Sequence, residues 1–385
     1  MGGAVADAAQ PASQFRPFRV VSRTPESRTI TSFALEPLAP GDWQAFEPGQ
    51  YLPIRIPGTD GQAAALRTYS ISSAPSDRAR YRITVKREGA PAPGLPDGVG
   101  SCFLHDRIAI GDLVEIAPPR GEFVLAKETK RPVILASGGV GLTPLVSMLH
   151  ALKGEPEREV HFLHACDDGE VHALREEVDA LIRSRPGLTA RYCYRVPSPA
   201  DAATGRHHAE GLMTRALLRS WLPLGDYDVY LCGPPPFMAN VYAAFRELGV
   251  RKERIRYEFF GPATVLEAGE ADPPAAPPIE VAPSRDGPAH AHSRNVAGTS
   301  GPQIGFARSQ RSASWDEAVD TSLLAFAERL GLDPPFSCRA GICSTCRTGL
   351  LQGEVDYVEE PLDPPGPGEV LLCCARPRGP LVLDL

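Results

Sequence analysis

The chain has 385 residues, of which 43% are hydrophobic and 23% charged, and its formal net charge is −7. This length is sufficient for two or three domains that each bury a core. The negative charge argues against a nucleic-acid partner, and no apolar run reaches the length of about eighteen residues that predicts a membrane span. Residues 1–14 lack the basic and apolar segments of a secretory signal. We therefore expect a disordered leader over residues 1–14 and a cytoplasmic protein.

Short segments of alternating polar and apolar residues follow this leader. Gly and Pro turns separate them, and clear examples are Phe18–Ser22, Ile30–Leu35, Tyr51–Ile56 and Arg82–Lys86. Many short strands at close spacing predict an antiparallel β-barrel, here over residues 15–127.

A short polar motif in this barrel has the residue types that a flavin needs. Side chains alternate along a strand, so Arg67 and Tyr69 share one face, and Ser70 follows them toward the rim. The motif would thereby supply a cation for the phosphate, a flat aromatic for the ring and a small hydroxyl donor. Gly100 and Ser101 stand where a helix could begin and its first amides receive a pyrophosphate. The alternative is a barrel with ordinary turns.

With these motifs the region resembles the flavin domain of the ferredoxin-NADP reductase superfamily, most closely the reductase part of flavohaemoglobins. The resemblance implies FAD, with Arg67 toward its phosphate, Tyr69 against the isoalloxazine and Ser70 near its reactive nitrogen. Relatives of phthalate dioxygenase reductase share the arginine-tyrosine-serine motif but bind FMN, which remains the alternative. The continuation Ser73-Ala-Pro75 favours FAD.

A second domain, α/β with a parallel sheet, is predicted over residues 128–263. The apolar run Pro132–Ser137 suits a buried parallel strand. A glycine-rich turn and an amphipathic helix follow it, and the turn contains Gly138, Gly139, Gly141 and Thr143. A strand, a glycine turn and a helix in succession can bind a dinucleotide. The glycines let the protein backbone approach the dinucleotide closely, and the helix N-terminus attracts its phosphate. The superfamily resemblance places Thr143 near the nicotinamide.

The last parallel strand of this domain ends at Cys232, Gly233 and Pro234, where a ligand-lining loop is expected. Glu258 and Phe260 follow before a Gly-Pro pair. The resemblance implies that Cys232 faces the nicotinamide carbon that gives up hydride, that Phe260 covers the flavin, and that Glu258 lies at the flavin edge. From the residues alone, Cys232 could equally be a buried thiol and Phe260 a core aromatic.

The choice of nucleotide depends on the end of the second parallel strand. The segment Cys166–Glu170 is acidic, and an acid near the ribose favours an unphosphorylated 2′-hydroxyl. The sequence therefore favours NADH over NADPH. Arg175, Arg195 or Arg206 could reverse this preference by binding a 2′-phosphate.

Residues 264–302 are rich in Pro, Ala, Ser and His, which predicts a flexible linker. In the third domain, residues 303–385, the cysteine spacing is C-x4-C-x2-C with a later pair. This is the ligand pattern of a plant-type [2Fe–2S] cluster. A structural zinc site usually has two C-x2-C pairs, and disulfides require an oxidising compartment. The predicted cluster ligands are Cys338, Cys343, Cys346 and Cys373.

Cys373 and Cys374 are adjacent, and only one of them should face the cluster, because neighbours on an extended segment point in opposite directions. In ferredoxins, which this domain resembles, the ligand stands four residues before a proline, and this implies Cys373. A predicted hairpin, a helix near Leu323–Leu330 and a strand over Gly349–Val355 suggest an α+β ferredoxin-like (β-grasp) fold.

Three domains in this order predict a multidomain NAD(P)H-dependent electron-transfer reductase. NADH or NADPH would reduce FAD by two electrons, and the [2Fe–2S] cluster would pass them singly to an electron-accepting protein. The favoured acceptor is an oxygenase or demethylase component, with neither nucleic acid nor membrane as partner. A hybrid-cluster or cytochrome-type acceptor and a redox-sensing flavin/iron-sulfur protein are the alternatives.

Overall fold

The computed structural model describes residues 15–58, 65–90, 98–260, 301–336, 339, 341–342, 344–358, 360–362 and 364–385. The chain divides into two compact units, residues 1–263 with 336–345 and residues 264–335 with 346–385. The expected leader and nearly all of the expected linker lie outside the described residues. The predicted domain boundaries remain predictions.

The first half of the larger unit is an antiparallel sheet in the order β4-β3-β6-β1-β2-β5. Its strands and its helix are β1 Arg16–Pro25, β2 Ile30–Pro37, β3 Tyr51–Ile56, β4 Ala65–Ser70, β5 Tyr81–Lys86, α1 Val99–Arg107 and β6 Leu113–Ile116. An antiparallel bridge between Ile71 and Ile83 joins the two outer strands, and the sheet thereby closes on itself. The predicted antiparallel barrel is confirmed.

The second half of the larger unit is a parallel sheet in the order β10-β9-β8-β7-β11-β12. Its elements are β7 Val133–Gly138, α2 Leu142–Leu152, β8 Val160–Cys166, α3 Arg175–Arg183, β9 Leu188–Tyr194, α4 Pro199–Thr204, β10 Ala209–Glu210, α5 Arg215–Trp221, β11 Asp228–Cys232, α6 Pro235–Glu247 and β12 Ile255–Glu258. The strand order reverses between β7 and β11, and ligands of such sheets bind at the carboxyl ends of the strands at that point.

The barrel half has a hydrophobic core of its own, and a second buried cluster contains residues of both halves. Ile30 and Phe123 of the barrel half belong to the same buried cluster as Leu135 of β7 and Met148 of α2. Helix α2 is buried around nearly its whole circumference, as expected of a helix covered by protein on several sides. The barrel and the parallel sheet are therefore held together by apolar packing.

The smaller unit is an α+β arrangement with a sheet in the order β14-β13-β19-β15-β17 and a separate pair of β16 with β18. Its elements are β13 Gln303–Phe306, β14 Arg311–Ser314, α7 Leu323–Arg329, β15 Arg347–Gln352, β16 Val355–Tyr357, β17 Glu369–Leu371, β18 Ala375–Pro377 and β19 Leu381–Leu383. The single strand predicted over Gly349–Val355 was wrong, because Gly353 takes a left-handed φ of +95° and breaks it in two. None of the described helices of the chain is long and apolar enough to cross a membrane.

Candidate functional site

The barrel brings three predicted flavin residues together at the start of α1. A Cβ on Gly100 would lie 2.6 Å from Arg67 Cγ and 2.6 Å from the Tyr69 hydroxyl oxygen. Glycine is therefore required for the helix start to approach strand β4 this closely. Burial raises the pKa of Tyr69, although the nearby Arg67 opposes the shift, and the phenol remains neutral. Arg67 is exposed, and its guanidinium donates to the Leu66 carbonyl at 2.8 Å.

The Ser101 hydroxyl is already occupied by local hydrogen bonds. It accepts from the Glu88 amide at 3.1 Å and donates to the Gly98 carbonyl at 3.3 Å. These bonds fix the first turn of α1 to the segment that follows β5. Ser101 can therefore contact a pyrophosphate through its backbone amide rather than through its hydroxyl.

Ser70, Cys232 and Glu258 come from different strands and meet at the junction of the barrel and the parallel sheet. Cys232 and Glu258 are register partners on β11 and β12, and the Cys232 thiol is fully buried. Burial raises the pKa of Glu258 to about 8, although the adjacent Ser70 hydroxyl lowers it. Burial, assisted by Glu258, also raises the pKa of Cys232. At neutral pH the junction therefore holds a neutral thiol and a mostly neutral carboxyl.

Ser70 Oγ and Glu258 Oε2 are buried polar atoms of this junction. Within the described part of the chain, Ser70 Oγ and Glu258 Oε2 make no well-formed hydrogen bond. Unpartnered buried polar atoms are costly, and in native sites they usually meet a ligand or an ordered water. A flavin ring carries donors and acceptors along its edge, so these residues fit the predicted cofactor.

The predicted glycine turn is packed too closely for side chains. A Cβ on Gly141 would lie 2.4 Å from the Cys232 carbonyl oxygen, and one on Gly138 would lie 2.8 Å from the Phe237 ring. Gly139 takes a φ of +52°. The turn between β7 and α2 thus lies directly against the end of β11, and this brings together the two segments predicted to line the nicotinamide.

The other nucleotide-side residues surround this turn. The Thr143 hydroxyl is buried and donates to the Val140 carbonyl at 3.1 Å. Gly233 and Pro234 immediately precede α6, and a Cβ on Gly233 would lie 2.9 Å from the Gly138 amide nitrogen. Phe260 is 42% exposed, as expected of an aromatic that covers a cofactor instead of joining the core. The roles assigned to these residues remain predictions.

Two predicted cluster ligands are described, and they lie next to each other in the smaller unit. Cys346 and Cys373 are both buried, and the Cys373 amide donates to Cys346 Sγ at 3.5 Å. Amide donors directed at sulfur are a feature of iron-sulfur sites, so this pair fits the predicted cluster. Cys338 and Cys343 lie outside the described residues. None of the described cysteines forms a disulfide.

The argument that only one of the two adjacent cysteines can face the cluster assumed an extended segment, and this assumption was wrong. Both residues lie in a 3₁₀ turn, Leu372–Cys374. The sulfur of Cys374 donates toward the Leu371 carbonyl at 3.6 Å. The choice of Cys373 as the fourth ligand rests on the ferredoxin spacing to Pro377 and stays a prediction.

An ion-pair network that the sequence did not indicate joins the barrel to the nucleotide-binding half. Arg82 on β5 makes two bonds to Glu177 on α3, at 2.6 and 2.9 Å. His150 on α2 lies 2.6 Å from the same carboxylate. Burial raises the pKa of Glu177, but the hydrogen bonds of His150 and Arg82 outweigh it and bring the value to about 2. No spacing signal connects three residues so distant in sequence.

Three family models match the chain in the order predicted. Residues 17–125 match the oxidoreductase FAD-binding domain, and residues 135–243 match the oxidoreductase NAD-binding domain. Residues 309–378 match the 2Fe-2S iron-sulfur cluster binding domain. The prediction of FAD, a nicotinamide nucleotide and a [2Fe–2S] cluster as cofactors is confirmed, and the match favours FAD over FMN.

Known proteins similar to the chain agree with these matches. A flavohemoprotein of Rhodopirellula baltica is 40% identical over 255 residues, which is 66% of this chain and 62% of that protein. This chain thus spans less than two thirds of that relative's length. The FAD/NAD-binding domain of a nitric oxide dioxygenase from Vibrio cholerae is 36% identical with a TM-score of 0.56, over 64% of this chain and 99% of the other.

A third similar structure extends across all three modules. Phthalate dioxygenase reductase, described as a modular structure for electron transfer from pyridine nucleotides to [2Fe–2S], has a TM-score of 0.54. The match covers 96% of this chain and 98% of that one at 24% identity. At this identity the likeness shows a shared fold.

Proposed function

The chain belongs to the ferredoxin-NADP reductase superfamily, and from that premise we propose that it reduces a partner protein with electrons taken from a nicotinamide nucleotide. The observation that supports this most strongly is the junction of Ser70, Glu258 and Cys232. Ser70 of the barrel, predicted near the flavin, lies there beside Glu258, and the register partner of Glu258 is Cys232, predicted at the nicotinamide. The two predicted binding sites would therefore share one boundary, as direct electron transfer between two cofactors requires.

The residues of the barrel would hold and orient FAD. Arg67 offers its guanidinium to phosphate, the first amides of α1 receive the pyrophosphate, and Tyr69 gives the ring a flat neutral surface. When bound, FAD accepts two electrons at once from the nicotinamide and releases them one at a time. Ser70 and Glu258 would then make the hydrogen bonds that they lack within the described residues.

The glycine turn and the end of β11 would hold the nicotinamide. Gly138 and Gly141 leave room only for backbone, so the loop lies directly against the end of β11 and the start of α6. Cys232 is fully buried and neutral, and it provides a dry, uncharged wall at the reacting edge. Excluding water there strengthens each remaining polar contact.

The arginines near the second and third parallel strands support NADH as the donor. Arg195 pairs with Asp167 at 2.7 Å, and Arg206 pairs with Glu176. Arg175 lies 3.4 Å from Asp179. Each of these three arginines already has a carboxylate partner, which a second anion would have to displace. These pairs disfavour NADPH.

The [2Fe–2S] domain would carry single electrons to the acceptor, which we propose is the iron protein of an oxygenase or demethylase. Residues 303–385 contain twelve acidic and seven basic residues. An acidic donor surface suits brief docking on a basic partner, where charge complementarity speeds association more than it tightens binding.

Anaerobic titration of the full-length protein with NADH, and separately with NADPH, tests the pathway. Visible absorption should show flavin bleaching, and EPR should show a rhombic reduced [2Fe–2S] signal with NADH at a lower concentration than with NADPH. Absence of bleaching with either nucleotide would refute the proposed reductase activity.

Two adjacent substitutions separate the cluster from the flavin. Cys373→Ser should remove the cluster signal but keep NADH-dependent ferricyanide reduction, because the flavin site lies in the other unit. Cys374→Ser is the matched control and should keep both. Loss of the cluster only in the control variant would move the ligand to Cys374.

A further inference from the structure

A buried cluster of potential metal ligands lies in the nucleotide-binding half, apart from the Ser70–Glu258 junction. It consists of His164 and Cys166 at the end of β8 and His172 in the loop before α3. One donor atom from each residue lies within 4.8 Å of the others. His164 is fully buried and His172 is 5% exposed. Neither the predicted flavin site nor the predicted nucleotide site uses these three side chains.

In each imidazole a neighbouring hydroxyl orients one nitrogen, and the other nitrogen is buried. His164 Nδ1 lies 2.8 Å from the Ser137 hydroxyl, and His172 Nδ1 lies 2.9 Å from the Tyr194 hydroxyl. Within the described part of the chain, the Nε2 atom of each ring is buried and makes no hydrogen bond. Metal-binding histidines characteristically have this arrangement, in which a neighbour orients one nitrogen and frees the other. Two such atoms in one cluster are costly unless a ligand meets them.

The protonation states suit a metal ion. Burial, together with the nearby Arg175, lowers the pKa of His164 to about 3. Burial and the neighbouring His164 and Arg175 place the pKa of His172 well below its ordinary value. Both rings are therefore neutral at physiological pH, as imidazole ligands must be. Burial and the adjacent Asp168 raise the pKa of Cys166, so this thiol keeps its proton until a metal displaces it.

We propose that His164 Nε2, Cys166 Sγ and His172 Nε2 form a binding site for Zn²⁺. Two imidazoles and one thiolate are a donor set that zinc favours. On binding, the Cys166 S–H bond breaks, its proton passes to solvent, and the sulfur lone pair forms the bond to zinc. Donors around tetrahedral zinc lie about 3.3–3.8 Å apart, so the three side chains must move inward by about 1 Å.

The charge of Arg175 is the main opposing effect, and its partners reduce it. Its guanidinium donates to the Tyr194 hydroxyl at 2.7 Å and lies 3.4 Å from Asp179. The Cys166 thiolate formed on binding adds a second negative charge. Because zinc would link β8 to the following loop, the metal-loaded protein should also unfold at a higher temperature.

The test uses the full-length protein with its flavin and iron present. Zinc is added, excess is removed by gel filtration, and zinc, iron and flavin are measured for each variant. Cys102→Ser is a matched control for Cys166→Ser, because each thiol donates to a backbone oxygen at 3.3 Å and is half-buried. Wild type and Cys102→Ser should retain one zinc per chain. Cys166→Ser and His172→Gln should retain at least tenfold less, with iron and flavin unchanged.

Cobalt provides a second readout, which begins with the wild-type protein. Added to the wild-type protein, Co²⁺ should give a thiolate-to-cobalt charge-transfer band in the difference spectrum, and this band should be absent from Cys166→Ser. Equal zinc retention in all four proteins, no retention in wild type, or cobalt binding without a thiolate band would each overturn the proposal.

Discussion

The carboxyl of Glu258 provides the sharpest test of the junction. Its pKa in the folded protein is about 8, against an ordinary value of 4.5. The folded state therefore binds this proton more tightly than the unfolded state does. Between these two values stability must fall as pH rises, which is the reverse of the usual carboxylate behaviour. Glu258→Gln keeps the shape and the neutral charge and removes the titration.

The size of the effect follows from the shift. Each unit of pKa corresponds to about 1.36 kcal/mol, so the advantage of Gln over Glu can grow by at most about 5 kcal/mol across the window. For a unit of this size, about 1 kcal/mol moves the unfolding midpoint by roughly 2–4 °C. We expect the midpoint of Glu258→Gln to rise by several degrees relative to wild type between about pH 5 and about pH 8.

The fluorescence of flavin released on heating measures this midpoint, because the flavin is predicted to bind beside Glu258. Glu253→Gln is the control, because Glu253 is exposed just before β12, and this variant should follow wild type at each pH. The rate of flavin reduction by NADH should also fall in wild type as pH rises past about 8, because the ionised carboxylate repels incoming negative charge. If the midpoint difference between Glu258→Gln and wild type is the same at both pH values, the carboxyl is not buried as described.

Two further substitutions test contacts beyond this junction. Arg82→Ala should lower the free energy of unfolding by about 1–3 kcal/mol, because it leaves the half-buried Glu177 carboxylate with one partner fewer. Arg80→Ala is the control and should change this free energy by less than about 0.5 kcal/mol, because the ion pairs of Arg80 are exposed. Equal effects of the two substitutions in denaturant titrations would refute the network. Asp167→Asn frees Arg195 and should raise kcat/KM for NADPH relative to NADH by about tenfold, which is about 1.4 kcal/mol. Adding Arg195→Ala should reverse that gain, and an unchanged ratio would exclude this pair from nucleotide selection.

Most of the fold could be predicted because its signals are local. Alternation of side chains locates the barrel strands, and an apolar run before glycines locates β7. The sequence could not show which distant strands meet, so Ser70 beside Glu258 and Arg82 beside Glu177 appear only in three dimensions. The break at Gly353 required knowledge of its φ.

The histidine cluster is a different kind of omission. His164-x-Cys166-x5-His172 is a local pattern with ligand residue types, and it could have been noticed in the sequence. What the sequence could not supply is burial. Only the fold shows that, within the described residues, each ring has a buried nitrogen without a hydrogen bond. An exposed cluster of the same residues would be weak evidence for a metal site.

Sheet register connects this cluster with the predicted nicotinamide site. His164 pairs with Ser137 across β8 and β7, and Ser137 pairs with Cys232 across β7 and β11. Paired residues of a parallel sheet point to the same face, so these side chains form one row, spaced by about 4.8 Å per strand. The Ser137 hydroxyl has a single proton and lies 3.2 Å from the Leu163 carbonyl as well as near His164.

Ser137 is thereby committed to the His164 side of the row. It cannot also donate to a nicotinamide beside Cys232, although it is the nearest hydroxyl along the sheet. The polar contacts to the predicted rings would then come from the barrel edge and from β12, where Ser70 Oγ and Glu258 Oε2 make no well-formed hydrogen bond within the described residues. The same row therefore connects the two proposed sites: its β12 end carries Glu258, predicted at the flavin edge, and its β8 end carries His164, a ligand of the proposed metal site.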